Sequence, residues 1–438
     1  MCRVLKWFAS FAVAGLACGS AAEAQTPAPP QATPPLTLQA ALQQARVNSL
    51  LFRAADTAAQ LAAEDRKQAR AALLPAVSEF SQYIHTQPND TASGVFISND
   101  GPQVYNTWLT VHGEVFSPAK WAEYRRAGAG ETVARAKADI AARGLVLTVV
   151  QNFYALVAAE RKAVSAGQSL REAQQFLDIA EKQERGGEVS HADVVKAHIQ
   201  VSQRIRDAED ADLTVLKSRL GLSVLVFPDF RDTFAVVDDL QDVVPLPPLA
   251  GVTAAMATSP EVKAAQASVQ VGLSDIEMAR GAWLPSVSFD YFYGINANQL
   301  AATGADGQRL LGSVVQAQMT VPLWNWGATQ SKKRQAELNL EQAKAELTLA
   351  ERQLLANASS FHREADVARG QVASLRGSLD LSTESLRLTL LRYQSGEASV
   401  LDVVDAQTTL TQARNALDDG LVRYRVALAT LQTLTGTL

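Results

Sequence analysis

One short pattern occurs twice in this chain and limits what it can fold into more than any other feature. The first half carries Gly187-Glu188-Val189-Ser190-His191-Ala192-Asp193-Val194-Val195, and the second carries Gly396-Glu397-Ala398-Ser399-Val400-Leu401-Asp402-Val403-Val404. Both run Gly-Glu and then Ser-x-x-Asp-Val-Val. Glycine is the usual residue just past a helix end, because it takes positive φ without a Cβ clash. Ser-x-x-Asp before an apolar run is a helix start. Each copy therefore predicts the end of one helix at Gly187 or Gly396 and the start of another. Asp402 and Asp405 fall three residues apart, on one face of the new helix. On the residues alone, Ser190 with Asp193 and Ser399 with Asp402 read as capping boxes, favoured further by the helix dipole. A functional role for these carboxylates needs support from the rest of the chain.

The surroundings of the two copies match as well. No proline occurs from Ala119 to Phe227. That predicts a helix out to about Arg185 and a returning helix to about Leu222, the outgoing arm alone ~90 Å long. Such an arm fits a coiled-coil hairpin or tube rather than an ordinary domain. After Pro322 the chain is again free of proline to Leu438. Ahead of each long arm lies a helical stretch, 36–72 and 260–282, ending in Arg70-Ala71-Ala72-Leu73-Leu74-Pro75-Ala76-Val77-Ser78 or Arg280-Gly281-Ala282-Trp283-Leu284-Pro285-Ser286-Val287-Ser288. Proline stops the helix, and period-two alternation follows. Leu109, Val111, Gly113 and Val115 alternate with Trp108, Thr110, His112 and Glu114. Val287, Phe289, Tyr291, Tyr293 and Ile295 alternate with Ser288 and Asp290, and Val315, Ala317, Met319 and Val321 with Gln316, Gln318 and Thr320. Strands are expected over 76–86, 104–116, 286–295 and 311–321, with loops at 87–103 and 296–309. The chain thus reads as an internal duplication: a first repeat over 36–227, an irregular proline-bearing stretch over 228–260 whose first part, 228–250, joins the halves, and a second repeat over 251–438.

Composition narrows the class. Lys and Arg total 40 against 45 Asp and Glu, a net charge of −5 that argues against nucleic acid as a partner. Residues 1–24 read as a secretory signal, with Arg3 and Lys6 before an apolar core and Ala22-Glu23-Ala24 as the cleavage site, followed by a proline-rich lead over 25–35. The two cysteines, Cys2 and Cys18, both lie in the signal, so no disulfide is expected. Lipid attachment at Cys18 is the rival reading, though Gly15 stands where a lipobox wants Leu. No stretch past the signal offers 18 uninterrupted apolar residues; the best, 145–159, is broken by Gln151-Asn152. Strands of about ten residues are long enough to cross an outer membrane tilted. Four cannot close, and open edges are not tolerated in lipid, so several chains would have to pool them. A soluble four-stranded sheet is the alternative.

The duplicated halves, the twin A-R-x-x-x-L-P-x-V-S stretches at Ala69 and Ala279, and Arg392-Tyr393-Gln394-Ser395-Gly396-Glu397-Ala398-Ser399-Val400-Leu401-Asp402-Val403-Val404-Asp405-Ala406-Gln407 resemble the TolC-like outer membrane efflux protein family. The resemblance covers nearly all of the chain from Leu36. It implies a mostly α fold with β: long antiparallel helical hairpins forming an α-barrel, plus four strands per chain in a trimeric twelve-stranded transmembrane β-barrel. It further implies a passive homotrimeric duct in outer membrane lipid, reaching into the periplasm. A periplasmic adaptor would join the duct to an inner-membrane transporter in efflux or type I secretion. By motif position Asp193, Tyr393, Asp402 and Asp405 match the family's pore gate, beside the breaks at Gly187 and Gly396. Ala398 stands where the family's best-known member has an arginine, so the aspartates are read as constriction rings first and as lock partners second.

Other signals are set aside. Ser117-Pro118-Ala119-Lys120 fits the S-x-x-K of serine acylases, but no K-T-G or S-D-N companion follows, and Ser-Pro at a strand-to-helix turn is a cap. No phosphate loop is present. His191 and His198 share a helical face, but five scattered histidines do not make a metal site. No cofactor and no catalytic chemistry are expected. Trp324 and Trp326 are read as packing at the strand-to-helix joint, with interface aromatics as the alternative. The rivals are a periplasmic adaptor, which should show one hairpin rather than two, and a secreted enzyme, which should show a cluster of titratable groups.

Overall fold

The computed structural model describes residues 35–87, 102–231, 233–241 and 244–437. The expected signal, Cys18 and all but the last residue of the proline-rich lead lie outside the described residues, as does most of the expected 87–103 loop. The elements run α1 (Leu38–Asn48), α2 (Leu50–Ala71), β1 (Ala76–His85), β2 (Gln103–Phe116), α3 (Pro118–Arg185), α4 (His191–Val226), α5 (Leu249–Met256), α6 (Pro260–Gly281), β3 (Ser286–Ala297), β4 (Leu311–Thr320), α7 (Ala328–Gln394) and α8 (Val400–Thr435). The halves repeat one plan almost residue for residue: α3 has 68 residues and α7 has 67, α4 and α8 have 36 each, and α2 and α6 have 22 each.

Each long arm, about 100 Å at 1.5 Å per residue, is accompanied by two shorter helices end on end. α2 and then α4 lie against α3; α6 and then α8 lie against α7. α3 also packs on α8, so the hairpins stand side by side in the order α4, α3, α8, α7. The join is apolar at mid-height. Val149, Val150, Phe153 and Leu156 of α3 meet Leu222 of α4 and Leu421 of α8 in one buried cluster. This is where the apolar run 145–159 goes. α3 includes an 18-residue window with mean hydropathy 1.5, apolar enough by composition to cross a membrane, and 44% of that window is buried within the chain.

The four strands form one antiparallel sheet in the order β1-β2-β3-β4. The register runs in rows: Ala76 opposite His112, His112 opposite Asp290, Asp290 opposite Gln316. Rows alternate between two faces. One face carries Val77, Leu109, Val111, Phe289, Tyr291, Val315 and Met319; the other carries Ser78, Thr110, His112, Ser288, Asp290, Gln316 and Gln318. A bulge at Glu114 to Phe116 ends the β2–β3 ladder beside α3. Ser117 and Pro118 then start α3, and Lys120 pairs with Glu114 at 2.8 Å, which gives the Ser-x-x-Lys pattern its structural use.

Three expectations are corrected. The helical stretch over 36–72 is two helices, because Ser49 leaves the helix at φ −67°, ψ 119° and its hydroxyl accepts from the Phe52 amide at 3.3 Å. The bend is tied to the other end of the repeat, where the Asn48 side chain donates to the Val226 carbonyl at 2.7 Å. The stretch 228–260 is not irregular throughout: Pro248 occupies the N-cap of α5, which buries Val252 and Met256 against α7 and α8. Trp324 and Trp326 do not pack into the β4-to-α7 joint. They are 75% and 89% exposed and touch each other edge to face, with Trp326 at φ 55° turning its ring outward. Trp121, near the start of α3, and Trp283, just before β3, are also more than half exposed.

Candidate pore gate at the helical turns

The two long arms end in turns of the same construction. In the first, Gly187 takes φ +77°, the Glu188 amide donates to the Gln183 carbonyl at 2.9 Å, and the Gly187 amide donates to that of Glu184 at 2.9 Å. In the second, Gly396 takes φ +79°, with Glu397 donating to Arg392 at 2.8 Å and Gly396 to Tyr393 at 3.1 Å. These crossed bonds satisfy carbonyls that a helix end would otherwise leave open. Glycine is needed because its φ lies in the left-handed region; a Cβ at either position would meet no atom within 4 Å.

The return helices start differently in detail. Ser399 and Asp402 form a full capping box: the Asp402 amide donates to Ser399 Oγ at 3.3 Å, and the Ser399 amide donates to Asp402 Oδ2 at 2.7 Å. The Ser399 hydroxyl also donates to Asp402 Oδ2 at 2.8 Å. The Ser399 amide, then its hydroxyl, and then the nearby Arg392 charge hold the Asp402 carboxyl below the usual carboxylate range. At the first turn the box is half made. The Ser190 hydroxyl donates to Asp193 Oδ2 at 2.8 Å without capping an amide, and Lys196 lies 3.5 Å from Asp193. The Ser190 hydroxyl first, and Lys196 after it, hold Asp193 low as well. Asp405 is exposed on α8 and joins no ion pair among the described residues. So the capping geometry that the sequence suggested accounts for Asp402, and in part for Asp193, while Asp405 has no such local use.

Tyr393 is placed elsewhere. It is 2% exposed, in the last turn of α7, with its ring 5.0 Å from that of Phe176 on α3 and tilted 63°. It sits between the two hairpins, among Val194, Val400 and Val403, rather than on an open face. Among the described residues its hydroxyl has no hydrogen-bond partner. Burial first, and then the Asp193 charge, push the phenol above its ordinary value. Ala398 packs against the same cluster. Among the described residues, the cation bearing on Asp402 is Arg392, whose guanidinium donates to the Glu397 carbonyl at 3.3 Å.

Sequence reasoning missed the polar seam above the turns. Arg414 of α8 pairs with Glu172 of α3 at 3.0 Å, Arg204 of α4 donates to Thr408 of α8 at 3.2 Å, and Ser169 bonds Thr411 at 3.0 Å. Arg161 pairs with Asp418 at 3.1 Å and with Asp238 at 2.5 Å. Higher still, Tyr154 donates to Asp239 at 3.3 Å, and burial pushes its phenol up to about 12. Nothing local marks these residues, since most partners lie over 200 positions apart; only the shared register of two helices brings them together. His191 lies 2.7 Å from Glu184 and His198 3.5 Å from Glu181, pinning α4 to α3. Among the described residues no group of three or more potential ligands could hold a metal.

One two-faced sheet, two strands from each repeat, under paired arms some 100 Å long, is the protomer of a channel that shares its walls between membrane and periplasm. The chain belongs to the family described as "Outer membrane efflux protein", which matches residues 41–226 and 252–437. Over 408 residues it is 22% identical to the alkaline protease secretion protein AprF of Pseudomonas aeruginosa, covering 89% of this chain and 82% of that one. It is 24% identical to the proteases secretion protein PrtF of Dickeya chrysanthemi, covering 89% and 86%. Its match to the outer membrane protein TolC of Vibrio cholerae, 26% identical, spans 40% of each chain. The fold is that of the Campylobacter jejuni CmeC outer membrane channel (TM-score 0.82, 16% identity, 91% and 85% covered). It is also that of the Vibrio cholerae outer membrane protein VceC (TM-score 0.80, 15% identity, 91% and 96% covered). The protein is an outer-membrane protein.

Proposed function

We propose that three copies of this chain form a passive duct from periplasm to exterior, serving an efflux or type I secretion system through a periplasmic adaptor and an inner-membrane transporter. The observation that carries this reading is that both layers of the protomer stop at open edges. Among the described residues β1 and β4 each lack a neighbour on one side, which lipid does not allow. α4 and α7 end the helical layer in the same way and expose Ile199, Leu216 and Val224 on one edge and Leu349, Leu381 and Leu391 on the other. Joining β4 to the next chain's β1, and α7 to the next chain's α4, closes sheet and helices together. Three chains give twelve strands, which encloses an aqueous lumen. The apolar sheet face then meets lipid, the polar face lines the lumen, and the exposed Trp121, Trp283, Trp324 and Trp326, beside the joints of strands and helices, lie at the periplasmic headgroups.

At the far end, Gly187 and Gly396 place Asp193, Asp402 and Asp405 around the helical tips. Three copies make rings of carboxylates at a constriction, a cation-attracting gate. Tyr393 serves that gate from behind, as the packed pivot between hairpins. Native mass measurement of the detergent-solubilised protein tests the assembly: the expected mass is that of three chains, with cation-selective conductance in planar bilayers. A water-soluble single chain would overturn the reading.

A further inference from the structure

The polar face of the sheet contains an exception. Phe80, Trp108 and Phe292 lie on it, in the same rows as Ser78, Thr110 and the glycines. The Phe80 and Trp108 rings stack at 5.1 Å and 27°, and Phe292 meets Trp108 edge to face at 6.4 Å and 89°. In the next two strands the Trp108 row continues as Gly294 and Gly312, which pair with each other. The result is a cavity of about 410 Å³ walled by Trp108 and Phe292, floored by the two glycines, and rimmed by Val314 and Gln316. That volume suits a drug-sized molecule.

Part of this has a structural cause. A Cβ at residue 294 would fall 2.1 Å from the Thr107 carbonyl oxygen and 2.5 Å from Trp108 Cβ, so glycine is required there; the indole covers the exposed backbone. Within its own chain Gly312 has no such cause. A Cβ there would meet nothing within 4 Å. A larger residue would fit and fill the hollow, yet the hollow is left open.

Charge indicates the occupant. The four strands contain no Lys or Arg; of their carboxylates, Glu79 lies in the Leu109 row on the opposite face and Glu114 is paired with Lys120, which leaves Asp290 on this face. Asp290 stands opposite Gln316 on the cavity rim and bonds His112 at 2.6 Å. Aromatic faces attract cations through their quadrupole, and a flat ring packs on a flat ring. We propose that this corner of the lumen wall is a transit subsite for planar aromatic cations, three per trimer. It rests on the channel reading above and narrows the cargo to a chemical class.

The test uses the full-length protein in planar bilayers, with ethidium added on the barrel side and the half-blocking concentration measured. 1-Pyrenesulfonate, a flat anion, is the comparison blocker. Ethidium is expected to block at clearly lower concentration than the anion, and Trp108→Ala or Gly312→Leu to raise its half-blocking concentration roughly tenfold, the size of a desolvated cation–ring contact. Trp108→Ala also uncovers Gly294, so Gly312→Leu, whose Cβ meets no atom of its own chain, is the deciding variant. Unchanged block in Gly312→Leu, or equal block by the anion, overturns the proposal. Failure of the channel reading looks different: no current before any blocker is added.

Discussion

Gly187 and Gly396 are single residues on which the whole length of each hairpin depends, since both sit in the left-handed region where the long arms turn back. Gly396→Ala adds a methyl that touches nothing, so its cost is conformational alone, roughly 1 kcal/mol. Thermal unfolding followed by circular dichroism should show that loss, with Gly396→Asn losing less. The carboxylates ask for a different measurement. Asp402→Ala with Asp405→Ala is expected to raise conductance and weaken block by multivalent cations. Ser399→Ala separates the two roles of Asp402: it removes the cap, at roughly 1 kcal/mol, and leaves both charges. Equal gain of conductance in Ser399→Ala would assign the effect to capping. The pH dependence follows from the sign of the shift. Asp402 titrates below the ~3.9 of a free aspartate, so its charge persists above that value and is lost as pH falls through its own lower pKa. Block by multivalent cations should therefore survive acidification past the point where a free carboxylate is half protonated.

Elements were legible where one physical rule acted locally. The strands followed from alternation, because each faces two different media, and all four were found within about two residues of the expected bounds. The hairpins followed from the absence of proline and the glycine breaks. The α1–α2 break was not legible, because Ser49 works as a cap only with Asn48 held by Val226 from the far end of the repeat. α5 was hidden by the prolines around it, one of which starts it. In the site, glycines and capping aspartates could be read off the chain. The burial of Tyr393 could not, since Phe176 reaches it from another hairpin. The α3–α8 seam shows the same limit, and it carries its own test. Glu172 and Arg414 are mostly buried on their side chains, 28% and 19% exposed. Glu172→Ala strands the arginine and should cost roughly 1–3 kcal/mol. Single-channel recording should show more frequent opening, and Glu172→Ala with Arg414→Leu should recover part of the stability.

At the scale of the molecule, the duplication gives two arms of 68 and 67 residues and two return helices of 36 each. All six tips of a trimer consequently finish at one level, like the legs of an even stool. Closing such an end takes only a sideways lean of the hairpins, with no sliding along the axis. Lengthening one hairpin by a heptad in each of its helices would push three tips about 10 Å past the others. A duct built this way should conduct without ever sealing, even with every gate residue left in place.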